Sequence, residues 1–171
     1  VAQDHKQAVA WYRKAAEHGF SPAQYTLGLA YANGLGVAQD DKQAVAWFRK
    51  AAEQGYVDAQ SVLGKMYSSG RGVAKDDKQA VAWFHKAAEQ GYVDAQYILG
   101  LMYEYGEGAV QDAKQAVAWF RKAAEQGNVG AQANLGRMYE TGKGVTQDYK
   151  QAVDLYRKAA EQGHALAQYL L

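Results

Sequence analysis

In residues 58–69, Ala59, Leu63 and Tyr67 recur at four-residue spacing, which places them on one face of a helix. The pattern predicts a helix that begins near Asp58 and ends before Gly70, where a left-handed cap is cheap only for glycine. Gly70-Arg71-Gly72 then reads as a turn. A second helix follows, with Asp76 as its N-cap and Gln79 three residues on, a variant of the capping box. Ala80, Val81, Phe84, Ala87 and Ala88 form its apolar stripe, and Lys78, Gln79, Lys86 and Glu89 lie opposite. This helix ends before Gly91. Elsewhere, Ser21 and Pro22 read as an N-cap and first-turn pair.

The two-helix pattern repeats. Lys-Gln-Ala-Val recurs at Lys6, Lys42, Lys78, Lys114 and Lys150, a period of 36 without insertion. Gly19, Gly55, Gly91, Gly127 and Gly163 keep the same period. Such units cannot bury their apolar faces alone and must stack. Ala44, Ala51 and Ala52 allow close helix approach, and Trp47, Phe48 and Tyr67 fill the space between. Gly28, Gly64, Gly100 and Gly136 fall mid-helix, at a cost of about 1 kcal/mol each relative to alanine. A cost repeated at one position predicts that another helix crosses there. Trp11, Trp47, Trp83 and Trp119 are periodic and read as core.

Charge and composition narrow the function. The 171 residues carry 19 Lys+Arg against 18 Asp+Glu, so no basic field makes nucleic acid the default partner. With no cysteine, disulfides and thiolate metal sites are excluded. No apolar run is long enough to insert in a membrane, and no signal peptide is visible. Cytoplasm, periplasm and secretion all remain open. Val1-Ala2-Gln3-Asp4 matches Val37-Ala38-Gln39-Asp40, so both ends are expected to be cuts in a longer protein.

Ala-x-x-x-Leu-Gly-x-x-Tyr, then Gly-x-Gly-Val, then Lys-Gln-Ala-x-x-Trp-Phe-x-Lys-Ala-Ala-Glu-x-Gly resembles the Sel1-like repeat, a branch of the tetratricopeptide-like superfamily. The resemblance implies an all-α fold, a right-handed α-solenoid of stacked antiparallel helix-turn-helix repeats. On that frame residues 1–171 form one solenoid. It has a partial unit 1–19, full units 20–55, 56–91, 92–127 and 128–163, and a partial unit 164–171. The pattern departs from the ordinary tetratricopeptide repeat in its length and in Gly55, Gly91 and Gly127, where proline often stands. The family implies a non-enzymatic scaffold without cofactor, whose first helices line a concave surface that holds a protein or peptide ligand. Uncapped terminal helices would also support end-to-end self-association.

Partner information resides where the units disagree. Residues 37–72 and 73–108 differ at 8 of 36 positions, five of them in the first helix. At 100° per residue, the differing positions share one side. That side carries Tyr25, Leu29, Ala32 and Asn33 in the first full unit, and Ser61, Lys65, Ser68 and Ser69 in the second. It carries Tyr97, Leu101, Glu104 and Tyr105 in the third, and Ala133, Arg137, Glu140 and Thr141 in the fourth. Apart from Ala32, Ser68 and Ala133, these side chains are the candidate partner contacts. Tyr25, Tyr97, Leu101 and Tyr105 are the expected anchors, since aromatic residues supply much interface energy. Lys65 and Arg137 suit carboxylates, either of a ligand or of a neighbouring Glu. Neutral drift is the competing account, but drift would also vary the second helix, where Lys42, Gln43, Lys50 and Glu53 recur. Recent duplication or consensus engineering would explain that sameness too.

Catalytic chemistry finds no foothold. His5, His18, His85 and His164 occupy four different repeat positions and match no metal motif. Gly-x-Gly follows a helix, not a strand, and lacks the residues of a phosphate loop. Ser21, Ser61, Ser68 and Ser69 sit in no nucleophile elbow. No catalytic residue, metal ligand or cofactor is expected. A cell-envelope enzyme, a binder of cell-wall fragments and a purely structural module are the alternatives to a peptide-binding scaffold.

Overall fold

The computed structural model describes residues 2–170, and every regular element among them is an α-helix. The helices are α1 (Ala2–Glu17), α2 (Ser21–Asn33), α3 (Asp41–Glu53), α4 (Val57–Ser69), α5 (Asp77–Glu89), α6 (Val93–Tyr105), α7 (Ala113–Glu125), α8 (Val129–Thr141), α9 (Tyr149–Glu161) and α10 (Ala165–Tyr169). Even-numbered helices are the first of each repeat and odd-numbered helices the second. Two compact units result, Val1–Ala87 and Ala88–Leu171. In the first, α1 packs on α2, α2 on α3 and α3 on α4. In the second, α6 packs on α7, α7 on α8, α8 on α9 and α9 on α10.

Capping follows the chemistry of each junction. Asp40, Asp112 and Asp148 accept the backbone N–H groups two and three residues on, as at Lys42 (2.9 Å) and Gln43 (3.0 Å). Asp76 accepts the Gln79 N–H at 3.0 Å, as the sequence predicts. The first helices start differently. The Phe20 carbonyl already accepts the Gln24 N–H, so the cap falls on Phe20, and Ser21 belongs to the first turn with Pro22. Ser21 is therefore not the N-cap. Tyr56 holds the equivalent place before α4, leaving Asp58 inside the first turn, where its charge favours the helix dipole. At the other end Gly70 has φ +73°, the left-handed conformation expected.

Each mid-helix glycine admits an aromatic ring. A Cβ on Gly28 would lie 2.6 Å from Cε1 of Phe48, and one on Gly64 would lie 2.9 Å from Phe84. The helix that crosses is thus the second helix of the same repeat, and its ring enters the space a methyl group would take. Buried glutamines stitch the repeats. Gln24 donates to the Ala16 carbonyl at 3.0 Å and Gln60 to Ala52 at 3.1 Å, satisfying orphan carbonyls in the last turn of the preceding helix.

Trp47 packs with Val9, Ala16, Ala23, Leu27 and Ala30, so it fills space against the preceding repeat. Trp83 does the same against residues 32–66. Trp119 is buried as well. Trp11 breaks the expectation of a core tryptophan, being 68% exposed. Lys14 lies 4.5 Å from its ring centroid, but Trp11 belongs to neither of the buried clusters that hold Trp47 and Trp83.

Candidate partner-binding groove

In the first unit, residues of α2, α3 and α4 line a groove of about 330 Å³. Its floor is apolar: Leu29 and Ala32 from α2, Phe48 from α3, Val62 and Met66 from α4. Asn33, Lys65, Ser69 and Arg71 stand around it. The Asn33 amide donates to the Leu29 carbonyl (2.9 Å), and the Ser69 hydroxyl to the Lys65 carbonyl (2.8 Å), so both are held against their own helix. Arg71 donates through Nη2 to the Ala32 carbonyl (2.7 Å) and through Nε to Asp41 (2.9 Å). The hydrogen bond it donates to Asp41 holds the guanidinium more firmly protonated than usual. Among the described residues Lys65 has no ion pair.

Four of the candidate contacts in this unit, Leu29, Asn33, Lys65 and Ser69, are therefore brought together. The other two do not line the groove: Tyr25 is half-buried and Ser61 buried. Tyr25 lies against Phe48 and Tyr56, with ring centroids 5.6 and 5.1 Å apart, and helps hold successive repeats together. Ser61 is 1% exposed, although it lies on the same side of α4 as Lys65.

The second unit uses the same positions mostly for internal contacts. Glu104 is 1% exposed and pairs with Arg137 (2.6 Å) and Lys143 (3.4 Å). The Glu140 carboxylate accepts the Tyr156 hydroxyl at 2.6 Å. Burial and that hydrogen bond push the Tyr156 phenol well above its ordinary range. The Thr141 hydroxyl donates to the Arg137 carbonyl at 2.8 Å. Tyr97 lies against Phe120 and closes on Gly130, and Leu101 is half-buried against the core. Tyr97 and Arg137 also line a smaller cavity of about 150 Å³ with Tyr156 and Leu166. Tyr105, at 62%, and Thr141 are the exposed members of this set.

Arg71 is the residue that the helix pattern leaves out. A signal existed: Arg71 and Glu107 are among the eight differences between residues 37–72 and 73–108, but they lie in the turn and not on the helix face. The sameness of the second helices also gains a packing reason. Lys50, Lys86 and Lys122 each sit about 4 Å over the ring of Trp47, Trp83 or Trp119. Arg49 and Arg121 donate to the hydroxyls of Tyr67 and Tyr139. Lys50 therefore recurs for a contact reason, and its constancy alone is no argument for selection on the other face.

Helix pairs that repeat in sequence and pack on their neighbours define an α-helical repeat protein. The Sel1 repeat family model matches residues 1–20, 21–56, 57–92, 93–128 and 129–164, and the chain belongs to that family. A search of curated proteins returns no match. Among solved structures, the chain is similar to a protective antigen present in uropathogenic Escherichia coli strains that displays an SLR fold. That likeness has 44% identity and a TM-score of 0.94, over 97% of this chain and 36% of the antigen. It is similar to a Sel1 repeat protein from Oxalobacter formigenes, with 43% identity and a TM-score of 0.86, over 97% of this chain and 48% of that one. Helicobacter pylori cysteine-rich protein B matches at 31% identity and a TM-score of 0.59, over 77% of this chain and 94% of that one. The chain thus spans about a third to a half of the first two relatives. The fold is that of the Sel1 repeat solenoid. Sel1 repeat proteins are in general protein-interaction scaffolds and are typically not enzymes. Among the described residues, no helix is long and apolar enough to cross a membrane.

Proposed function

We propose that the chain binds a peptide or protein partner through the varied side of its first helices. The observation that carries this reading is the groove lined by residues of α2, α3 and α4. It has an apolar floor, about 330 Å³ of open space, and a rim built from positions at which the repeats differ. Apolar clefts with a few polar groups at the edge are where ligands bury surface while the polar groups fix orientation. Leu29, Asn33, Lys65 and Ser69 are the contacts in the first unit, and Tyr105 is the exposed aromatic anchor of the second. Tyr25, Tyr97 and Glu104 act indirectly by holding the helices that present them.

Selection of binders from a random-peptide phage library tests this, with titration of the recovered peptides against Leu29→Asp and Lys42→Glu. Leu29→Asp should weaken binding at least tenfold and Lys42→Glu should leave it unchanged. Equal affinities in both variants would remove the groove from the binding surface.

A second reading has its own observation. Trp11, Tyr12 and Phe20 are exposed in the first unit, as are Leu166, Tyr169 and Leu170 in the second. Copies that meet end to end through these faces would cover them. Light scattering across a wide concentration range decides it: a constant monomer mass argues against self-association.

A further inference from the structure

The groove of the first unit has a counterpart two periods on, and one of the differences between the two identifies a ligand. Leu29, Phe48 and Met66 correspond to Leu101, Phe120 and Met138, so three of the five floor residues are kept, while Val62 gives way to Asn134 and Ala32 to Glu104. Lys65 and Arg71 correspond to Arg137 and Lys143. The two cations have exchanged types, yet both remain. Between them the second unit places a carboxylate of its own. Glu104 Oε1 lies 2.6 Å from Arg137 Nη2 and 3.4 Å from Lys143 Nζ, sealed from solvent. The first unit has Ala32 at that position, and the space is open. Arg71 turns to the Ala32 carbonyl and to Asp41, whose counterpart is Ala113. Lys65, the counterpart of the arginine nearest to Glu104, is left without an ion pair among the described residues.

We propose that the first-unit groove is a carboxylate site that takes a glutamate side chain from a peptide segment of a protein partner, where the second unit inserts Glu104 in cis. The inference rests on the reading of this groove as a partner site. Charge complementarity selects the acid: an unpaired ammonium stands at the rim, and a guanidinium has five donors, of which Asp41 and the Ala32 carbonyl occupy only part. The apolar floor selects a peptide over a bare anion. Leu29, Phe48, Val62 and Met66 give a methylene stem and an apolar neighbour something to cover, which a small carboxylate would leave bare.

The test is a methyl and amide NMR titration of the full chain with acetyl-Leu-Glu-Leu-amide, its Gln counterpart and sodium acetate. Saturable shifts at Ala32, Leu29 and Lys65 are expected with the Glu peptide, and roughly tenfold weaker binding with the Gln peptide. Ala32→Glu supplies the acid in cis and should abolish the binding. Glu104→Ala should open a second site, read as new shifts at Arg137 and Lys143. Circular dichroism melts confirm that both variants fold. Equal binding of the Glu and Gln peptides at Leu29 and Ala32 overturns the carboxylate assignment while the partner groove stands. Acetate binding as tightly as the Glu peptide overturns the peptide assignment. No saturable shift with the Glu peptide up to millimolar concentration overturns the site. Shifts confined to the second helices overturn the partner groove as well.

Discussion

Arg137 Nη2 and Glu104 Oε1 lie 2.6 Å apart, which ties α8 to α6 through a carboxylate that solvent does not reach. The two partners are not equivalent. Arg137 is partly exposed and can be rehydrated, whereas Glu104 is buried and cannot. Arg137→Ala should therefore cost about 3 kcal/mol, because it leaves a buried charge with only Lys143 at 3.4 Å. Glu104→Ala should cost clearly less, since it removes the charge that needs a partner. Urea unfolding of both variants checks the order. A larger loss for Glu104→Ala would mean that the pair itself is a main source of stability.

Gly28→Ala sets two effects against each other. Alanine gains about 1 kcal/mol of helix propensity. Its Cβ would also sit 2.6 Å from the Phe48 ring, and overpacking of that kind costs roughly 1–3 kcal/mol. Phe48 is buried among neighbours and has little room to retreat. Net destabilisation is expected, read as a lower urea midpoint. A stabilised variant would show that the ring moves aside freely.

Ser61 offers the opposite sign. Its hydroxyl is buried and has no hydrogen-bond partner among the described residues. Ser61→Ala removes an unsatisfied polar group and should raise stability by about 1 kcal/mol. A thermal melt that shows a loss would point to a bridging contact at that hydroxyl.

The alkaline limb of stability should carry the mark of Tyr156. Burial and the Glu140 hydrogen bond raise its phenol above the unfolded value of about 10. A raised group keeps its proton in the folded chain while the unfolded chain gives it up. Its contribution is full below about pH 10 and is lost as the pH climbs above that. Tyr156→Phe should flatten the decline in unfolding free energy above about pH 10. An unchanged slope would contradict the shift.

The repeat and its two helices were legible because Ala59, Leu63 and Tyr67 keep helical spacing and Gly70 and Gly91 mark the ends. The side of the helix that varies was legible too, and Leu29, Asn33, Lys65 and Ser69 do meet on one groove. Which parts of that side are covered was not. A helical wheel gives a direction within one helix but says nothing of what the next helix lays over it. Ser61 and Glu104 share the direction of Lys65 and Tyr105, and both are buried. Glu104 is sealed by cations more than thirty residues away in the chain. Trp11 shows the same limit: its period matches Trp47, but it is exposed where Trp47 is packed.

We propose that partners bind on the first helices. Amide and methyl shift mapping of a phage-selected peptide on the full chain tests it most directly. Shifts concentrated at Leu29, Asn33, Lys65 and Ser69, with Lys42, Gln43 and Glu53 unmoved, are the predicted result. Shifts centred on Lys42, Gln43 and Glu53, with the groove silent, would contradict it.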